Sequence, residues 1–160
     1  MGDNNNSRAP NMPKKPDPAL KKLDRLVGRW RFFGDAKGAA QFEWMEGGFF
    51  LVQRFDFRMG KRRLRGVEYI GFDEDTKTLR SHLMDSAGHN FTYTWDIKDD
   101  RVTTWFGDRG SHNFYTGKLS KDGGIVRGRW QWPEGDGSIG GYELNWRRLT
   151  TTRGARNKGT

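Results

Sequence analysis

The sequence predicts an all-β fold, about ten short antiparallel strands wound up and down into a barrel with a short N-terminal helix capping one end. Three observations predict it. Apolar and polar residues alternate with a period of two over most of residues 29–148, the signature of strands with one buried face. Turn-forming clusters of Gly, Asp and Asn interrupt that alternation at short intervals, and the chain holds 22 glycines, which tolerate the backbone angles tight turns require. Much of the apolar content sits in large rings, seven Trp, eleven Phe and four Tyr, within a hydrophobic fraction of only 33%. Such rings bury a large area each and suit a barrel interior. A chain of 160 residues has material for one core and one domain.

Residues 1–17 are rich in Asn, Pro, Lys and Asp and are expected to be a disordered tail, because they offer too little apolar surface to offset ordering. The barrel domain is expected at 18–149. Asp17 is a good helix N-cap followed by Pro18, and Leu20, Leu23, Leu26 and Val27 fall on one side of a helix over 18–27 that Gly28 ends. Residues 29–33 open the first strand on Trp30. Residues 39–46 set Phe42 and Trp44 against Gln41 and Glu43, and Gly47 and Gly48 turn the chain into 49–58. There Phe49, Leu51, Gln53, Phe55 and Phe57 share the more apolar face, which is expected inward. In 61–72, placing the arginines outside puts Leu64, Gly66, Glu68, Ile70 and Phe72 inside. The strand over 79–86 offers Leu79, Ser81, Leu83 and Asp85 on one face and Arg80, His82, Met84 and Ser86 on the other; its alternation leaves the inward face open. Phe91, Tyr93, Trp95 and Ile97 form the clearest half-buried strand. Three further strands are expected over 101–107, 111–119 and 125–132, the last with Val126, Gly128, Trp130 and Trp132 on one face. In the final strand Tyr142, Leu144, Trp146 and Arg148 share a face, and residues 150–160 are expected to be a second disordered tail, polar and basic.

Composition excludes several function classes. The chain has no cysteine, hence no disulfide, thiolate metal site or thiol nucleophile. It offers no apolar run long enough to span a bilayer as a helix and no apolar signal-peptide core at its start, so a soluble, cytoplasmic protein without membrane insertion is expected. The net charge of +9 is confined to the two tails and the run 58–65, and the rest of the chain is balanced. A nucleic-acid face would need charge spread over the fold, and the basic run carries no ring to stack a base, which weighs against nucleic acid. There is no dinucleotide fingerprint, phosphate loop or Ser-centred elbow.

With the strands laid out, several blocks resemble a known family. Leu-Val-Gly-Arg-Trp at 26–30 is similar to the Gly-x-Trp signature of lipocalin-like (calycin) proteins, in which the Trp plugs the barrel floor and a late Arg lies across it; Arg148, on the parity of Trp146, is the matching Arg. The blocks 44–52 (Trp-Met-Glu-Gly-Gly-Phe-Phe-Leu-Val), 71–78 (Gly-Phe-Asp-Glu-Asp-Thr-Lys-Thr) and 81–88 (Ser-His-Leu-Met-Asp-Ser-Ala-Gly) follow in order. Together they resemble a bacterial family of lipocalin-like proteins of undetermined function. The resemblance covers most of 20–149 and implies a calycin-type barrel, with no catalytic residue to carry over. Haem-binding nitrobindins and fatty-acid-binding-type barrels are similar at a greater distance. The nitrobindin haem ligand is a late His, and no His follows His112 here, so no cofactor is expected.

A ten-stranded barrel is wider than its side chains fill, so its lumen is expected to hold a small, largely apolar or aromatic guest. The residues expected to line that site are Trp44, Gln53, Phe55, Glu68, His82, Tyr93, Trp95, His112 and Trp130. The aromatics among them are otherwise plain core. His82 and His112 lack paired spacing for a metal, and His89 is expected to be solvated in a turn. Glu68 is the sharpest of the set: an inward carboxylate must meet a cation such as Arg148 or Arg80, bind a polar ligand group, or keep its proton. Two alternatives stand beside ligand binding. One is a lyase or isomerase using Glu68 with Tyr93 and His82 or His112 for proton transfer. The other is an interaction module whose basic hairpin and tails meet an anionic partner. A homodimer is left open.

Overall fold

The structure, a computed structural model, describes residues 9–150. Residues 1–8 and 151–160 of the two expected tails lie outside them; within the described stretch 9–17, Ala9–Asn11 forms a single 3-10 turn. Ten antiparallel strands follow: β1 (Gly28–Gly34), β2 (Lys37–Trp44), β3 (Phe50–Met59), β4 (Arg62–Asp73), β5 (Thr78–Asp85), β6 (Asn90–Lys98), β7 (Arg101–Phe106), β8 (Phe114–Leu119), β9 (Ile125–Pro133) and β10 (Ile139–Arg148). Each pairs with its sequence neighbour, and β1 pairs with β10, so the sheet closes on itself. Closure removes both free edges that an open sheet would present. Among the described residues no helix is long and apolar enough to cross a membrane.

The capping helix is of the 3-10 type, Pro18–Leu26, with Asp17 accepting from the Ala19 amide at 2.8 Å as its N-cap. The buried set is Leu20, Leu23 and Leu26, a spacing of three that a 3-10 helix places in one row. Val27 therefore falls outside the helix, as its C-cap. Three side-chain contacts dock the helix on the barrel: Trp44 Nε1 donates to Asp24 at 2.9 Å, and Lys22 and Arg25 reach Asp96 and Asp100 at 3.3 and 2.9 Å.

The helix seals one end of the barrel through Trp30 and Arg148, which are register partners in the β1–β10 ladder. The Arg148 guanidinium lies 4.2 Å from the centre of the Trp30 ring. It donates to the carbonyls of Arg25, Val27 and Gly123, while Trp30 Nε1 donates to Leu26 at 2.8 Å. One cation thus satisfies carbonyls at the helix C-terminus and ties it to the β8–β9 turn. Gly28 makes room for this: its φ is +126°, and a Cβ there would stand 2.8 Å from the guanidinium.

Inward-facing residues are tightly buried near the sealed end and progressively less so toward the other. Along β7, Val102, Thr104 and Phe106 are 0%, 3% and 38% exposed. The same gradient runs from Trp146 to Tyr142 in β10 and from Ile97 to Phe91 in β6. The sealed half is therefore a packed core around Leu23, Leu26, Trp30, Ile70, Val102 and Val126. The other half is a lumen whose rim is formed by the β1–β2, β3–β4, β5–β6, β7–β8 and β9–β10 turns.

Candidate functional site

The lumen encloses a cavity of about 640 Å³, within the roughly 300–1,000 Å³ of typical small-molecule sites. Its walls come from the inward rows of the strands. Phe55 and Phe57 project from β3, Tyr93 and Trp95 from β6, Trp130 and Trp132 from β9. The rings interlock edge to face: Tyr93 meets Trp130 at 5.9 Å and 60°, and Phe42 meets Trp95 at 6.5 Å and 81°. Such contacts hold the rings as a fixed wall.

A polar patch is set into this wall. Glu68 is 3% exposed. Its Oε1 accepts from Ser81 Oγ at 2.5 Å and Trp95 Nε1 at 3.0 Å, and it has no other hydrogen bond or ion pair among the described residues. Burial pushes its carboxyl up to about 7, and the Ser81 and Trp95 hydrogen bonds only partly oppose the rise. Of the alternatives open to Glu68, an ion pair with Arg148 or Arg80 is not formed: Arg148 is engaged at the sealed end and Arg80 pairs with Asp108 at 2.6 Å. Gln53 is the register partner of Glu68 and is 7% exposed, with no hydrogen-bond partner among the described residues. Thr104 and Trp146 also line the cavity, and their Oγ1 and Nε1 atoms are sealed within its wall without a partner. Burial pushes the Tyr93 hydroxyl up, and the charge of Glu68 adds to the shift.

The mouth is built differently. His89 Nδ1 and Asp85 Oδ2 are 2.7 Å apart, Arg62 lies 3.2 Å from His89 Nε2, and the imidazole stacks on Phe91 at 4.9 Å. Burial pushes the Asp85 carboxyl up, but hydrogen bonds from the His89 ring and from the backbone of His89 and Ala87 outweigh it, leaving a net fall.

Of the residues expected to line the site, Gln53, Phe55, Glu68, Tyr93, Trp95 and Trp130 do so, and three do not. His82 is exposed on the outer wall and bonded to Asn90. It is carried there by the β4–β5 register, which sets Leu83 opposite Glu68 and turns Leu79, Ser81, Leu83 and Asp85 inward. His112 is exposed in the β7–β8 connection, beyond the end of the strand that was expected to place it. Trp44 packs toward the sealed end with its N–H on Asp24. His89, expected in solvent, is instead half-buried at the mouth. The proposed acid/base set therefore has no histidine at Glu68; only Tyr93 accompanies it. Thr104 and Trp146 were missed. The parity of their strands, once the inward residues Val102 and Leu144 are known, is the signal that finds them.

The basic hairpin is partly neutralised. Asp56 is within 2.7 Å of Arg63 and within 3.5 Å of Arg58 and Arg65, and the Arg63 hydrogen bond pulls its carboxyl well below the usual range. Among the described residues no group of three or more His, Asp or Glu is placed to hold a metal.

A model of a protein family described as a protein of unknown function (DUF1579) matches residues 15–99, which run from the capping helix through β6. No curated protein matches the sequence. Among solved structures, the crystal structure of Rv2717c from M. tuberculosis superimposes with a TM-score of 0.54 at 15% identity, over 85% of this chain and 100% of that one. That likeness is one of fold.

Proposed function

The chain belongs to the DUF1579 family, and from that footing we propose that it is a lipocalin-like binding protein that holds a small, largely apolar or aromatic molecule in its lumen. The observation that carries the reading is the ring-walled cavity of about 640 Å³, sealed at one end and open at the other. A closed barrel that needed only stability would fill its interior with side chains, as its own sealed half does. Surrounding a flat apolar guest with fixed rings removes its surface from water at roughly 25 cal/mol per Å². Because the wall is already ordered, little of that gain is lost to arranging it. Proton transfer by Glu68 is less well supported, since no histidine stands beside it.

The test uses pyrene as the probe. Titration is expected to give saturable, one-to-one binding, read as energy transfer from the lumen tryptophans to pyrene. Replacing both Leu64 and Leu83, which line the cavity, with Trp narrows the lumen and is expected to weaken binding at least about tenfold, with circular dichroism unchanged. Binding that is unsaturable, or indifferent to the double replacement, would place pyrene on the surface and remove the reading.

A further inference from the structure

We infer that the inner end of the lumen is a recognition site for an uncharged oxygen, so that the ligand class is apolar or aromatic molecules carrying a hydroxyl or carbonyl at their leading end rather than carboxylates. This inference rests on the lumen-binding reading and specifies which guests the lumen selects.

Four polar side chains, each more than nine-tenths buried, line one cavity: Gln53, Glu68, Thr104 and Trp146. Thr104 Oγ1 and Trp146 Nε1 have no partner but are closed off from the lumen by the atoms around them, whereas the Gln53 amide, also without a partner among the described residues, lies at the lumen surface. Buried hydrogen-bonding groups without partners are costly, and a fold that needed only packing would place Leu or Val there. The Gln53 amide, which carries both an oxygen and an NH2 group, can donate to a carbonyl and both donate to and accept from a hydroxyl.

The charge of the guest follows from what is missing around this patch. Among the residues lining the cavity the cationic side chains are Arg62 and, when protonated, His89, and both stand at the mouth. Arg148, the nearest cation by sequence parity, lies beyond Trp30 with its donors committed to backbone carbonyls. A carboxylate brought to Glu68 would be stripped of water beside another carboxyl group with no cation to meet it. An uncharged oxygen meets no such penalty.

Three probes that share one body separate the possibilities: pyrene, 1-hydroxypyrene and 1-pyrenecarboxylate, titrated into the full-length protein at neutral pH. The hydroxyl compound is expected to bind roughly tenfold more tightly than pyrene, and the carboxylate no better than pyrene. Gln53→Leu removes the amide at nearly constant volume and is expected to erase the preference for 1-hydroxypyrene. Equal binding of all three, tightest binding of the carboxylate, or a hydroxyl preference that survives Gln53→Leu would overturn the inference while leaving lumen binding in place. Failure of pyrene itself to bind would instead remove the reading on which it rests.

Discussion

Replacing Trp30 with alanine is expected to cost about 3–5 kcal/mol of folding stability, the largest effect of any single substitution at the sealed end. Trp30 is fully buried and is the point where three parts of the chain meet. Its ring packs edge-on against Trp146 at 5.9 Å, its N–H caps the end of the 3-10 helix, and its face carries Arg148. Truncation leaves a cavity that the closed strands cannot collapse to fill, together with an orphaned Leu26 carbonyl and a cation that has lost its aromatic partner. Trp30→Phe keeps much of the volume but loses the hydrogen bond, and is expected to cost roughly half as much. Urea denaturation of the three proteins measures this. A loss below about 1 kcal/mol for the alanine variant would mean that the seal does not depend on this ring.

Replacing Glu68 with glutamine is expected to change how stability depends on pH. The folded protein keeps the Glu68 proton up to about 7, whereas the unfolded chain releases it near the ordinary 4.5. The folded state therefore binds more protons in that window. The stability this proton carries is complete below about pH 4.5, declines as pH rises through about 7, and is spent above it. The whole excursion is on the order of 3 kcal/mol. Glutamine keeps an oxygen to accept from Ser81 and Trp95 and cannot ionise, so its stability curve lacks this decline. Relative to wild type, the variant is expected to gain about 2–3 kcal/mol between about pH 5 and about pH 8. Denaturation curves for the two proteins that run parallel across that interval would show that Glu68 is not held in a dry site.

The barrel itself was legible because a strand with one buried face writes its geometry into the sequence at a period of two. Trp30 and Arg148 could be paired across 117 intervening positions from parity alone, and they are register partners. Glu68 could be turned inward because Arg63 and Arg65 occupy the opposite face of β4. Alternation failed where both faces carry similar residues. In β5 the rows Leu79, Leu83 and His82, Met84 are not distinguished by polarity, so alternation leaves open whether His82 faces the lumen. The β4–β5 ladder settles it, since directly opposed residues share a face and Leu83 stands opposite Glu68.

Other features depend on position along the barrel axis, which alternation does not encode. Trp44 has the parity of an inward residue but lies at the sealed end, where the helix covers it. The split into a packed half and a hollow half likewise arises from where Leu20, Leu23 and Leu26 insert, a contact between distant segments. The partnerless state of Thr104 and Trp146 is a property of the assembled wall. No local pattern records it.

The most direct test of a binding lumen uses the seven tryptophans as reporters. Trp95, Trp130, Trp132 and Trp146 line the cavity. Trp44 is tied to the capping helix, and Trp105 lies under Arg109 on the outer wall, 5.2 Å from its guanidinium. In a nitrogen-15 correlation spectrum recorded during a pyrene titration, the indole N–H signals of the four cavity tryptophans are expected to shift together and saturate, while those of Trp44 and Trp105 stay in place. Shifts confined to Trp105, or none at any of the four at saturating pyrene, would contradict the account.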